Sequence, residues 1–378
     1  MTDNPGFIFT IIAFLLVIGP LVFIHEMGHY LVGRWFGVHA ETFSIGFGHE
    51  LKAWHDKRGT RWRIGALPLG GYVKFAGDAG VASEADPAWL ELSPEERQRC
   101  FPAKPVWQRA LIVLAGPVVN LLFAALVLAG FAYIHGENVT PTRIGAVVEG
   151  GAAEAAGLRP GDRILAIDGE KVELFPQLSK AVMTRLPGEE VTLELDRAGR
   201  VMEIPLALGT RVERDRFGNE YRIAQIGIQA AESVQRDVSL AEAPIVGLRR
   251  TGELIAMMAN GLVDIITGRR AISELGGPLK IAQISGEQAA LGPEALIAFI
   301  ALVSINLGFI NLLPIPMLDG GHLFFYGIEA IQRRPVSPRF QEIAFRSGMA
   351  LLLGLMVFVT VNDLGSFGLW RGLSGLIG

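Results

Sequence analysis

The sequence predicts a polytopic α-helical membrane protein with four transmembrane helices, an inserted mainly-β domain, and a β-hairpin or β-loop associated with the membrane. Three observations carry that prediction. Half of the 378 residues are hydrophobic and the mean hydropathy is +0.38, too apolar for an ordinary soluble enzyme. Four runs approach the ~20 apolar residues that cross a bilayer as a helix. A long polar stretch rich in Gly, Val, Ile and charge separates the second run from the third. Other classes fall away on composition. A net charge of -4 with no basic tract gives no reason to expect a nucleic-acid partner. One cysteine, Cys100, precludes an internal disulfide, so any metal site must use nitrogen and oxygen ligands.

The N-terminal membrane part is expected over residues 1–136, with spans at 7–36 and 106–134. "MTDNPG" lacks a basic n-region and the run after it lacks a small-residue cleavage site, so the first run is expected as a retained span. Between the spans, a cytoplasmic or re-entrant β region is expected at 40–80. Its stretch "RWRIGALPLGGYVKF" alternates and contains Gly70-Gly71. The inserted domain is expected at 137–230. In it, Gly157-Leu158, a turn at Pro160-Gly161-Asp162 and the strand "RILAIDG" follow one another, with more strands at "EEVTLELDR" and "RVMEIPLAL". Residues 231–293 read as an amphipathic linker at the membrane surface. Within it, Glu253–Gly268 is apolar but interrupted by Asp264 and flanked by Arg249, Arg250, Arg269 and Arg270, so it is expected to lie on the surface rather than to cross. The C-terminal membrane part, 294–378, holds spans at 295–313 and 344–361. Both loops rich in Lys and Arg, one around Arg34, Lys52, Lys57 and Arg58 and one around Arg333, Arg334 and Arg339, are expected to be cytoplasmic. The inserted domain and both termini then lie on the periplasmic side.

Two constellations carry chemistry. In "VFIHEMGHYLV", His25 and His29 project from one face of the first span, with Glu26 between them. This is the H-E-x-x-H pattern, in which two imidazoles bind zinc and the glutamate acts as general base. Ionisable groups in a membrane helix are costly and rarely idle. From Ile8 to His25 the helix rises about 26 Å at ~1.5 Å per residue, against a hydrocarbon core of ~30 Å. The trio therefore sits near the cytoplasmic end of its span.

A catalytic zinc takes three protein ligands and keeps one position open. The candidate third ligand is Asp319, in "INLLPIPMLDGGH", where Pro314 and Pro316 break the helix and Gly320 and Gly321 permit an unusual backbone. If residues 253–268 do not cross, the third span runs inward and ends at the level of His25 and His29. Asn311 is expected either to bind substrate backbone or the oxyanion, or to cap the broken helix. His322 is expected beside the site rather than on the metal. Gly116 and Asn120, in "AGPVVNLL", are expected to serve helix packing, Gly116 by close approach and Asn120 by a hydrogen bond across helices.

"HEMGH", "AGPVVNLLFA", "NLLPIPMLDGG" and "ALPLGGYVKFAGD" occur in order along nearly the whole chain, and together they resemble the site-2 protease family of intramembrane zinc metalloproteases, of the regulator of sigma-E protease type. The resemblance implies one catalytic Zn2+ on His25, His29 and Asp319, with Glu26 as the base. It implies a PDZ domain at 137–230, one where the regulator of sigma-E protease has two in tandem, which acts as a size filter or captures a C-terminal peptide. It implies residence in the bacterial inner membrane and, as partners, membrane lipid and single-span proteins, of the anti-sigma-factor or signal-peptide-remnant kind. These would be cut in their transmembrane segments after an earlier protease has trimmed them. Substrate-binding candidates are Asn311, Pro314, Pro316, Gly70 and Gly71, the glycines on a sheet edge that could pair with an unwound substrate. The rival readings are a catalytically silent PDZ membrane scaffold and a metal-dependent transporter.

Overall fold

In the computed structural model, the described residues are 6–78, 87–214, 220–271 and 276–366. The chain divides into two units, one formed by residues 1–130 with 244–378 and the other by residues 131–243.

The first unit opens with α1 (Phe7–Trp35), an almost unbroken apolar helix of 29 residues. It stops in a left-handed turn. Gly37 takes φ 71°, its N–H donates to Arg34 O at 3.0 Å, and the Val38 N–H donates to Gly33 O at 2.9 Å. That pairing satisfies the last carbonyls of the helix. The chain then enters an antiparallel hairpin of β1 (Ala40–His55) and β2 (Arg61–Phe75), irregular in register along its length. Asp56 closes the turn by accepting from Arg58 N and Thr60 N. The hairpin curls so that the start of β1 and the turn both pack on α1, where Asp56 accepts from the Tyr30 hydroxyl at 3.4 Å and from Trp62 Nε1–H at 3.1 Å. Phe43 is fully buried, stacked on Trp62 at 4.4 Å, and met edge-on by Phe23 and Tyr30. Leu51 and Trp54, in the second half of β1, are exposed.

A short helix, α2 (Pro94–Arg97), is fixed by a capping box between Ser93 and Glu96. Next comes α3 (Val106–His135). Where α1 and α3 cross, a Cβ on Gly28 would lie 2.6 Å from Ala115 O, so only glycine permits the approach.

The second unit is mainly β. It contains β3 (Glu137–Val139), β4 (Ile144–Val147), α4 (Ala152–Ala155), β5 (Arg163–Ile167), β6 (Glu170–Lys171) and α5 (Phe175–Met183). It continues with β7 (Glu190–Arg197), β8 (Arg200–Ala207), β9 (Gly209–Arg214), β10 (Glu220–Gln225), β11 (Ile228–Ala230) and β12 (Val234–Arg236). One sheet has the order β6-β5-β7-β8, and β9–β10, β4–β11 and β3–β12 form separate antiparallel pairs. The alternating strands send Ile164, Ile167, Leu193 and Leu195 inward onto Leu178 and Val182 of α5. Arg197 holds the otherwise buried Asp162 carboxylate at 2.6 Å, which keeps that carboxyl below its ordinary range.

The chain returns to the first unit with α6 (Ala243–Ile266), α7 (Pro278–Leu291), α8 (Pro293–Leu312), α9 (Asp319–Gln332) and α10 (Pro338–Ser366). Among the described residues, α1, α3, α8 and α10 are the helices long and apolar enough to cross a membrane. At 24 residues α6 has the length but carries Arg249, Arg250, Glu253 and Asp264. It starts well before Glu253, where the surface helix was expected to begin. The stretch expected as a linker also yields α7, which packs along α1. Its buried Ser285 and Gly286 make the approach close, since a Cβ on Gly286 would stand 2.6 Å from Thr10 Oγ1. The polarity of α7 hides this from a hydropathy reading. On α10, buried Asp363 accepts from Gly277 N and Lys280 N, both at 3.1 Å, and so caps α7.

Candidate active site

The site is assembled by α1, α3, α8 and α9 with the hairpin of the first unit. The i, i+4 spacing on α1 places the two imidazoles with their Nε2 atoms 3.2 Å apart. Asp319 is the first residue of α9, after α8 has ended at Leu312, so its carboxylate sits at the start of a new helix rather than at the end of the apolar run. Its Oδ2 lies 3.1 Å from His25 Nε2 and its Oδ1 3.5 Å from His29 Nε2. His25 is 8% exposed and Glu26 7%.

Two partners orient the imidazoles. His29 Nδ1 donates to Ile112 O on α3 at 2.9 Å. Asn120, buried on α3, presents its side-chain amide to His25 Nδ1 at 3.3 Å, and its own backbone carbonyl accepts from Ser304 Oγ on α8 at 2.8 Å. The amide's oxygen has no other partner. Turned half a revolution, that oxygen accepts from Nδ1–H of His25. With both Nδ1 atoms protonated and facing outward, both Nε2 lone pairs face inward.

Inward-facing Nε2 atoms and a carboxylate are all acceptors, and three acceptors at this separation repel one another unless a cation lies among them. The donor set fits zinc. One ligand atom from each residue falls within 4.8 Å of the others. Tetrahedral Zn–N bonds of ~2.0–2.1 Å place neighbouring ligand atoms about 3.3 Å apart, close to the separations here. The buried Asp319 Oδ2 has no hydrogen-bond donor, as a metal ligand would not. Gly116 on α3 lies directly against the pair, where a Cβ would run into His29 Nε2 and approach His25 Cε1 to 3.0 Å. A glycine there keeps the space between the imidazoles and α3 open.

A cavity of about 300 Å³ opens on this cluster. Glu26 and the three donors line it, with Phe47, Gly71, Tyr72, Val73 and Phe75 from the hairpin and Asn311, Met317 and His322 from the far side. Of the expected substrate contacts, Asn311 and Gly71 therefore reach the cavity. Gly71 lies against Glu26, since a Cβ on it would come within 2.8 Å of Glu26 Cγ. Gly70, Pro314 and Pro316 do not line the cavity: Gly70 backs onto the Phe47 ring, and Pro316 lies under Gly348 of α10. His322 lies outside the metal-binding group and packs its ring on Phe345 at 4.9 Å.

The expected role of Gly320 and Gly321 needs correction. Neither has an unusual backbone. The positive φ in this break belongs to Met317, at 82°. The two glycines are there because the folded-back chain leaves no room, and a Cβ on either would strike the carbonyls of Leu312, Leu313 or Ile315. Asn120 also proves more than a packing residue. Its polarity inside an apolar span was the available signal, and the contact itself depends on how α1 and α3 cross.

The family model described as Peptidase family M50 matches residues 13–355. A protein of Agrobacterium fabrum named as a zinc metalloprotease is 46% identical over 362 residues, covering 94% of this chain and 96% of its own. Metalloprotease MmpA of Caulobacter vibrioides is 35% identical over 396 residues, covering 98% of this chain and 99% of its own. A solved PDZ domain of an SdrC-like protein from Listeria innocua is 22% identical, covering 26% of this chain and 100% of that one at a TM-score of 0.20, too low to assign a fold.

Proposed function

The chain belongs to peptidase family M50 and is a membrane-embedded zinc metalloprotease; from that premise we propose that it is an intramembrane endopeptidase in which His25, His29 and Asp319 hold the zinc and Glu26 is the general base. The observation that carries the reading is the convergence of three acceptor groups on one buried point, with Glu26 beside them at the wall of the same cavity.

Zinc bound there supplies a Lewis acid that eases deprotonation of water and polarises a carbonyl. Glu26 takes the proton from the attacking water and returns it to the nitrogen of the scissile amide, so the C–N bond breaks to give a carboxylate and an amine. Asn120 and the Ile112 carbonyl fix the ring orientations. Asn311, which lines the same cavity, would donate to a substrate carbonyl. A helical substrate hides its own amides, so it must unwind before hydrolysis. Gly71 and its neighbours on β2 offer a backbone edge on which an unwound segment can pair.

Substrates, in this reading, are transmembrane segments of single-span proteins, anti-sigma factors or signal-peptide remnants, after a first cut outside the membrane. The charge bias favours an inner-membrane orientation with both termini and the β unit periplasmic and the zinc near the cytoplasmic face. The β unit carries a groove of about 370 Å³ between α5 and β10–β11, lined by Leu178, Val182, Met183 and Ile223. Its apolar walls suit the C-terminal side chain of a peptide in a PDZ-like domain, and the unit's bulk suits exclusion of untrimmed proteins.

The test is cleavage of a single-span reporter by the purified, zinc-loaded protein. Glu26→Gln should retain zinc one-to-one and lose at least about a thousandfold in rate. A Glu26→Gln protein that still cuts, or an Asp319→Ala protein with unchanged zinc stoichiometry, would overturn the assignment of the corresponding residue.

A further inference from the structure

Arg34, His39, Arg58 and Arg99 surround a pocket of about 300 Å³ at the end of α1, with Gly37 and Val38 completing its wall. No acidic residue lines it. Among the described residues, none of these four side chains forms an ion pair. Of the nearby acids, the Asp56 carboxylate closes the hairpin turn, and Glu96, which also attracts Arg99, caps α2 through Ser93. An adjoining groove shares Gly37 and Arg99 and adds Arg97 and Lys104, with Glu95 as its acidic member.

The pocket is built on fixed backbone. The His39 N–H donates to Arg99 O at 2.9 Å, the His39 carbonyl accepts from Ala76 N, and the Phe101 N–H donates to Ala76 O. The segments that carry His39 and Arg99 are thus tied to each other and to Ala76. Cationic side chains that share one pocket with no carboxylate in its wall, on a fixed backbone, suit an anion.

Its level relative to the membrane identifies the source. Trp35 is 82% exposed and Trp107 57% exposed, and both contact Phe36 at ring-centroid distances of 5.8 and 5.4 Å. Exposed tryptophans at the end of a spanning helix mark the water–lipid boundary. We propose that this pocket binds the phosphate of an anionic phospholipid headgroup, with Arg34, Arg58 and Arg99 as its charge partners and the lipid's chains lying beside the exposed Trp35 and Trp107. This goes beyond the hydrolytic reading and does not depend on it.

Native mass spectrometry of the full chain, released from detergent micelles titrated with phosphatidylglycerol, phosphatidylcholine or inorganic phosphate, tests the proposal. The wild-type chain should retain phosphatidylglycerol in preference to phosphatidylcholine, with inorganic phosphate failing to displace it at matched concentration. R34Q/R99Q should lower that retention by about thirtyfold, while R34K/R99K keeps most of it. The single variant R58Q, altered at an exposed turn residue, should give about a fivefold loss on the same scale. Zinc content should be unchanged throughout. Wild-type retention by R34Q/R99Q, or no preference for the anionic lipid, would overturn the site. Displacement by inorganic phosphate at matched concentration would overturn the lipid as its ligand.

Discussion

Asn120 illustrates what a single polar residue inside an apolar helix can do. Its amide meets His25 Nδ1 and its carbonyl receives Ser304 Oγ, so one residue joins the metal cluster to α8. Asn120→Ala should weaken zinc binding about 10–100-fold, the usual consequence of removing a group that orients a ligand. Asn120→Asp, which keeps an acceptor, should lose less; competition with a zinc chelator measures both. Asp78 offers a different test. It lies beyond β2, 3% exposed, and burial pushes its carboxyl up to about 8 despite a hydrogen bond from Phe75 N. The unfolded chain titrates near the ordinary 3.8, so folding takes up a proton between those values. Stability is then highest below pH ~4 for this group, falls as pH rises toward 8, and is flat above. Asp78→Asn should abolish that slope and stabilise the fold at neutral pH, as read from thermal midpoints across the window. At this scale the sequence reveals what is local. His25, Glu26 and His29 announce themselves by spacing on one helix, and Asp319 by being a carboxylate at a proline-broken apolar run. Met317 and the Ile112 carbonyl give no such sign, because their roles arise from chain segments that meet only in three dimensions.

Between elements, the decisive contacts are those where a side chain is missing. α3 passes α1 at Gly28 and Gly116, and the imidazoles occupy the room that results. Gly116→Ala should displace His29 and abolish stoichiometric zinc binding while leaving helix content intact, as read by metal analysis beside circular dichroism. Spanning helices are legible because hydropathy accumulates over many residues; α1, α3, α8 and α10 are of that kind. α7 is not, since its contact with α1 relies on small residues rather than on apolar ones. Its N-terminus depends on Asp363, delivered by α10. Asp363→Ala leaves two buried N–H groups without an acceptor, at a cost of about 1–3 kcal/mol. Lower thermal stability, with faster amide exchange concentrated at Gly277 and Lys280, is the expected result.

Across the whole molecule, the β unit has its own buried core around Ile164, Ile167, Leu193 and Leu195, and its own ion pair at Asp162–Arg197. Residues 131–243 expressed alone should therefore unfold cooperatively in a denaturant titration. Its existence was legible from composition and turn residues, whereas the pairing of its terminal strands, β3 with β12, joins residues too far apart for any local pattern to reveal. The membrane unit is divided in a different way. Its proposed ligands come from α1 and from α9, with the entire β unit encoded between them. When everything through α8 has been translated, Glu26 and both histidines are present, yet Asp319 is unmade. The half-synthesised chain can therefore hold no complete zinc site while its own unpacked apolar helices lie exposed beside it.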